Sequence, residues 1–228
     1  MLRSSVPLLI ALLLLACATP GPPTQPNDRE WNLITADYQW LETLRKAQPQ
    51  PPPSASRKQM IELAVKNHEK ITPTYDAFIN KITEYFERTR DPRAAKVLAH
   101  EKVLIGDDYM NVLSRYDRAI EYYRAALGYD PQNAEASKKV GLAEARRFVS
   151  MDGFAGVKSG MKEDDVRKLV GLPREDWIKQ VIQNNRVYAV WIYPKADSGA
   201  AAIYFDNGVV YHTNWNAALP QTAQSQTK

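Results

Sequence analysis

The stretch AIYFDNGVVYHT, Ala202–Thr213, decides the fold. Two runs of β-branched and aromatic residues flank Asp206-Asn207-Gly208, and Asn-Gly between such runs is a strong short-range hairpin signal. The spacing therefore predicts strands over 200–205 and 209–215. Upstream, 177–182 and 186–193 flank Gln183-Asn184-Asn185, a second hairpin candidate. In the latter run Val187, Ala189, Trp191 and Tyr193 alternate onto one face. The segment GMKEDDV, from Gly160, opens a short helix before these strands. Its three acids, Glu163, Asp164 and Asp165, favour the positive end of the helix dipole. Val166, Leu169 and Val170 form its inward face, Gly171 suits a left-handed C-terminal position, and Pro173 prevents continuation. The order is helix, then an antiparallel meander of three or four strands covered by helix on one face.

Before Ser150 the pattern changes to helical periods. Trp31, Ile34, Tyr38, Leu41 and Arg45 step by three and four, an apolar seam ending in charge, on a helix over 28–47. Ser56 with Gln59 reads as a capping box. Thr72-Pro73 and Asp91-Pro92 each read as an N-cap followed by proline at the first helical position. These signals predict helices over 57–70, 73–89 and 92–105. The second carries Tyr75, Phe78, Ile79, Ile82, Tyr85 and Phe86 on one face. The fold class is thus α+β, helices first and a small helix-covered sheet last.

Two parts of the chain resemble known families. YDRAIEYYRAALGYDPQNAEA, residues 116–136, is similar to the second helix of a tetratricopeptide repeat. Ala119 and Ala126 allow close approach of a paired helix, Tyr123 fills the space between them, and Pro131 ends the turn and starts the next helix. The preceding helix departs from the repeat at Gly106, Asp107 and Met110. A capping helix follows over about 131–149, and Asp28 to Ala95 completes the stack.

GVKSGMKEDDVRKLVGLPRE, WIYP and AIYFDNGVVYHT together resemble the SmpA/OmlA, or BamE-like, lipoprotein domain over about 155–215. The resemblance rests on Gly160, Met161, Val166, Gly171, Pro173, Trp191, Tyr193, Phe205, Asp206, Gly208 and Val210. It implies a fold shared with β-lactamase inhibitor proteins, an envelope location, and work through protein contacts. The family prototype is an accessory subunit of the machine that inserts barrels into the outer membrane. Lys162 stands where the family has a capping Thr, so Ser159 or solvent is expected to cap that helix. The long helical segment before the domain is a second departure.

The chain opens with a positive start and the apolar run VPLLIALLLL, residues 6–15. Ten residues are too few to span a bilayer, which takes about 20, and the layout is that of a secretory signal. Leu14-Leu15-Ala16-Cys17 resembles the lipobox of bacterial lipoproteins. That resemblance implies cleavage before Cys17 and acylation of it, with several chains giving a durable anchor. The alternative is an ordinary cleaved signal. Cys17 is the only cysteine, so no disulfide forms within one chain. Ala18, rather than Asp, points to the outer membrane, periplasmic side. ATPGPPTQPN, 18–27, reads as an extended stalk. The organisation expected is a signal over 1–16, lipidated cysteine and stalk over 17–27, a helical domain over 28–150, an α+β domain over 151–216 and a disordered tail over 217–228.

Lys and Arg number 30 against 26 Asp and Glu, a net +4. The basic pairs Arg45-Lys46, Arg57-Lys58, Lys138-Lys139 and Arg146-Arg147 read as solvated helix faces, so no nucleic-acid partner is expected. His68, His100 and His212 lie far apart, outside any close metal-ligand spacing. Asp107-Asp108 and Glu163-Asp164-Asp165 lack the alternation of a calcium loop. No nucleophile elbow, phosphate loop or dinucleotide fingerprint is present. The reading is a non-enzymatic adaptor without cofactor or metal. It is held to the membrane through Cys17, with envelope proteins as partners and outer-membrane protein assembly or envelope maintenance as its setting. The competing readings are an inhibitor or ligand sensor for an envelope enzyme or peptidoglycan, and an enzyme centred on His212 and Asp206.

Overall fold

Amphipathic spacing and caps produce seven α-helices and four strands among the residues described by a computed structural model, 24–52 and 57–220. The helices are α1 (Asp28–Lys46), α2 (Arg57–Thr89), α3 (Pro92–Asp107), α4 (Tyr116–Tyr129), α5 (Ala134–Arg146), α6 (Met151–Ala155) and α7 (Glu163–Val170). The strands are β1 (Ile178–Gln183), β2 (Arg186–Pro194), β3 (Ala200–Asp206) and β4 (Val209–Ala217), in the antiparallel order β1-β2-β3-β4. The helix-then-sheet layout matches expectation. Cys17, the signal segment, Ser56 and the tail from 221 lie outside the described residues. Strand β4 runs to Ala217, past the expected start of that tail.

The helical layer holds two cores. Ile34 and Leu41 of α1 bury against Phe78, Ile82 and Tyr85 of α2 and Ala94 and Leu98 of α3. Ala99 and Val103 of α3 bury against Ala119, Ile120, Tyr123 and Ala126 of α4 and Ala136 and Ala143 of α5. One expected boundary is wrong. Helix α2 runs unbroken through Pro73, and the Thr72 hydroxyl donates to the His68 carbonyl at 2.8 Å rather than capping a new helix. Interior proline costs about 3 kcal/mol. The buried face of Phe78, Ile82 and Tyr85 offsets that cost by tying the following turns to α1 and α3. Pro131 also departs from its expected role: it sits exposed in a turn, and Asn133 caps α5 by accepting from the Ala136 amide. The stalk's last residues are not free either, because the Thr24 amide donates to the Arg88 carbonyl at 2.9 Å.

Gly106 and Asp107, where the chain departs from the repeat pattern, explain each other. A Cβ on Gly106 would overlap the ring of fully buried Tyr123. The Tyr123 hydroxyl donates to Asp107 at 2.8 Å, and Lys139 donates to the other oxygen at 2.6 Å. One carboxylate thus ties α3 to α4 and α5. The chain then leaves α3 through a π-helical turn, Asp108–Val112.

Glu101 is the second polar tie. It is 1% exposed in the interior of α3 and accepts a two-point contact from Arg45 of α1, at 2.9 and 2.6 Å. Arg45 also donates to Glu42 at 2.7 Å. Burial pulls the guanidinium's pKa down, but the bonds to Glu101 and Glu42 outweigh it and the net shift is upward. Tyr38 and Tyr75 flank this pair. Burial, then the Glu101 charge, pushes each phenol up to about 12.

In the C-terminal module, Val166 packs against Trp191, Tyr193, Ile203, Phe205 and Val210. Two of the three hairpins turn on two residues with positive φ, Asn184-Asn185 and Asn207-Gly208, which matches the twist of the strands they join. Gly171 adopts φ 74° and ψ −169°, an extended glycine-only conformation rather than the left-handed one expected. Ser159, one of the expected caps, does not serve α7. The Ser159 hydroxyl donates to the Val210 carbonyl at 3.3 Å, while the Glu163 amide donates to the Gly208 carbonyl at 3.1 Å. The hairpin tip therefore caps the helix, and a capping side chain at Lys162 is not needed.

Three stability outcomes follow from these ties. Gly106→Ala should lose about 1–3 kcal/mol in urea unfolding, as expected for overpacking against a ring with no room to move. Arg45→Ala should lose about 3–5 kcal/mol because it strands a buried carboxylate, and the double change Arg45→Met, Glu101→Leu should recover most of it. Asp91, 1% exposed at the start of α3, is subject to opposing effects. Burial raises its pKa, but bonds from Arg93 and Tyr85 outweigh this and hold it below the ordinary 3.8. A depressed folded value means its contribution is full above about pH 4 and is lost as pH falls through the folded pKa. Acid titration of stability should show that loss in the wild type and a shallower one in Asp91→Asn.

Candidate functional site

Two surfaces stand out once the layers are assembled. The first is a cleft between the helical layer and the sheet module. The chain crosses between them at Phe148 and Val149. The Val149 amide donates to the Pro194 carbonyl at 3.0 Å, and Val149 packs on the sheet core, so that module begins before the expected 151. On the other side the Tyr193 hydroxyl donates to the Gly171 carbonyl at 3.0 Å. These bonds fix the end of β2 against both the linker and the turn after α7.

The resulting cavity of about 150 Å³ has a helical wall of Ser114, Tyr116, Asp117, Arg146 and Arg147. Its opposite wall includes Val170, Leu172, Pro173, Arg174, Trp177 and Tyr193. An adjoining space of about 400 Å³ shares Tyr116, Arg146, Phe148 and Leu172 and adds Arg167 and Lys168. Cations outnumber acids around both. Arg174 is paired with Asp176 at 2.7 Å, Arg167 with Asp164 at 3.6 Å, and Lys168 with Asp165 at 3.1 Å. Among the described residues Arg146 and Arg147 form no ion pair. The Arg147 guanidinium lies 5.0 Å over the Phe148 ring. Of the wall residues, Trp177 is 8% exposed, and its Nε1–H is buried without an acceptor.

The second surface is the free edge of the sheet. Ile178 is half-buried, but Lys179 to Gln183 are exposed along both faces of β1. Val181 and Ile182 are 60% and 74% exposed. The Asn207 amide donates to the Val187 carbonyl, so the Val187 backbone points to β3 and that of its neighbours Arg186 and Tyr188 to β1. With Gln183 opposite Arg186 and Val181 opposite Tyr188, the N–H and C=O groups of Ile182 and Gln180 point outward, unpaired. The opposite edge is treated differently. Residues 160–163 cover the start of β4 through the Gly160 amide to Val210, the Val210 amide to Met161, and the Glu163 amide to Gly208.

The residues singled out from sequence fall into these layers. Ala119, Tyr123 and Ala126 are fully buried between helices. Trp191, Tyr193 and Phe205 form the sheet core, with Met161 packed at its margin. Gly160, Gly171 and Gly208 all have positive φ. Pro173 lines the cleft, and Asp206 pairs with Arg186. The exposed His212 ring lies tilted against that of Tyr204, ring centres 5.2 Å apart, so His212 and Asp206 are each engaged elsewhere rather than with each other. Both oxygens of Asp107 are taken by Tyr123 and Lys139, and burial with the Asp107 charge raises the pKa of its neighbour Asp108.

Sequence reasoning missed Arg146, Arg147 and Trp177 as parts of one cleft. It took the arginine pair for a solvated face and Trp177 for the start of a strand. It also missed Glu101, although a carboxylate in step with Ala94 and Leu98 was a signal of a buried partner. In comparisons with known proteins, no family model, no curated protein and no solved structure matches this chain.

Proposed function

We propose that the protein is a lipid-anchored adaptor of the outer membrane, facing the periplasm and acting through protein contacts rather than catalysis. Its resemblance to the BamE-like lipoprotein domain and, in the helical layer, to tetratricopeptide repeats supports this reading. Outer-membrane protein assembly or envelope maintenance is the setting that follows. Cys17 supplies the tether. No helix among the described residues is long and apolar enough to cross a membrane, so a tether of another kind is compatible with them.

The observation that carries the proposal is the open edge of β1. An uncovered strand with outward N–H and C=O groups is a template for another strand, and proteins usually blunt such edges with charge, proline or a cover. Here β4 is strapped while β1, with Val181 and Ile182 exposed, is left open. The occupant we assign is an extended segment of an envelope protein, added as a fifth strand beside β1. Main-chain bonds would give affinity, and apolar side chains meeting Ile182 and Val181 would give register.

Ile182→Pro tests this directly. It removes an outward N–H while leaving the bonds from Gln183 and Val181 to β2 in place. Affinity purification of the lipidated protein from envelope membranes should recover a partner whose binding slows hydrogen exchange at the Gln180 and Ile182 amides. That partner should be lost with Ile182→Pro and depleted with Cys17→Ser, while thermal melting of the Ile182→Pro protein stays close to wild type. Recovery of the same partner by Ile182→Pro, or a partner that leaves those two amides unprotected, would remove the edge from the mechanism.

A further inference from the structure

We propose that the cleft between the helical layer and the sheet module binds the C-terminal carboxylate of a peptide, held by Arg146 and Arg147, with the peptide's last apolar side chain between Phe148, Leu172 and Trp177. The proposal is independent of strand addition at β1, which lies on a different part of the sheet module.

The first argument is charge. Arg146 ends α5 and Arg147 is its cap residue. A helix C-terminus stabilises cations, so both can remain charged without an acidic partner. The other cations that line the cleft, Arg167, Lys168 and Arg174, are each paired with an acid. Two uncommitted guanidiniums beside one cavity favour an anion that can accept from both, and guanidinium–carboxylate bonding is the strong, directional form of that contact.

The second argument is an unmet donor. Trp177 lines the cavity and its Nε1–H is buried without an acceptor. A buried donor left unpaired is costly, and a small rotation of the ring toward the cavity would let a peptide carbonyl or carboxylate oxygen accept from it. Arg174 lies 5.3 Å over the Trp177 ring and helps to hold that ring in place.

The third argument is shape. Leu172, Val170 and Phe148 make an apolar wall, and the small cavity opens into the larger space. A side-chain-sized group fits the first and a short length of backbone the second. Recognition sites of this kind combine an apolar lining with a few placed polar groups. A bare inorganic anion would use the arginines and leave the apolar wall unfilled, so the carboxylate should come attached to an apolar body. Peptide C-termini supply that combination from two sources, a protein chain end or the stem peptide of the cell wall.

Isothermal titration of the full-length chain in detergent tests the assignment. The probes are N-acetyl-Ala-Leu-Phe with a free carboxylate, the same tripeptide as its C-terminal amide, and a peptide ending in D-Ala-D-Ala. At least one free acid should bind, and the amide should bind at least tenfold more weakly than the tripeptide acid if that acid is the ligand. Arg146→Ala and Arg147→Ala should each weaken the bound acid about tenfold, and Trp177→Phe should weaken it while the protein still melts cooperatively. Tighter binding of the tripeptide acid assigns the site to protein chain ends, and tighter binding of the D-Ala-D-Ala peptide assigns it to wall stem peptides. No binding by either acid, equal binding of tripeptide acid and amide, or wild-type affinity in both arginine variants would overturn the proposal. Ile182→Pro should bind these probes as the wild type does, which separates this site from the edge of β1.

Discussion

Glu101 has almost no water around it, and the helical layer is arranged so that this is tolerable. A buried carboxylate must find a partner or give up its charge, and its partner Arg45 sits two helices earlier in the fold, at the end of the α1 seam. That single requirement fixes how α1 lies on the following helices. Rotating α1 would expose Ile34 and Leu41 and withdraw Arg45 in the same movement. Tyr38 and Tyr75 close around the pair and hold it in a place where their own phenols are hard to ionise. The stretch of α2 from Tyr75 onward can then stay helical past Pro73, because its face is already committed to α1 and α3.

The same kind of constraint passes along the chain by a different residue. Asp107 binds Tyr123 and Lys139, so the end of α3 dictates where α4 and α5 begin to pack. Gly106 is the price of bringing the Tyr123 ring so close. From there the end of α5 sets the position of Arg146 and Arg147, and the Val149 amide fixes the linker to the end of β2. The cleft is thus not a gap between two loosely joined halves. Its walls are set by bonds that begin in the helical core and end in the sheet.

Much of this was legible in the residues. The α1 seam, the six-residue stripe of α2, both Asn-containing turns and the alternation of β2 were readable because each depends on neighbours within one element. What was not legible depended on partners far along the chain. The start of α7 lacks a local cap, and its donor is met by Gly208 of a hairpin that comes later. Thr72-Pro73 reads as a helix start in isolation, but tertiary burial keeps the helix running through it. Arg146-Arg147 reads as a solvent-facing pair, and only the arrival of Trp177 and Leu172 from the other module makes it one wall of a cleft. Exposure of Val181 and Ile182 was hidden for a related reason: only the sheet order shows that no strand among the described residues lies beyond β1.

Under the proposed function, the position of the tether gives the arrangement its mechanical sense. Thr24 is bonded to the last turn of α2, so chain arriving from the N-terminal side is fastened to the first pair of helices. The cleft is walled by the start of α4 and the end of α5, and β1 lies further on still. Between the point of attachment and these surfaces stand packed helices joined by the carboxylates of Glu101 and Asp107 rather than a flexible linker. A pull or a steric push at a bound strand on β1 would therefore be carried through Val149, α5, Asp107 and Glu101 to the attachment point with little slack. In the proposed adaptor role, that rigidity would hold the second protein at a set height above the membrane.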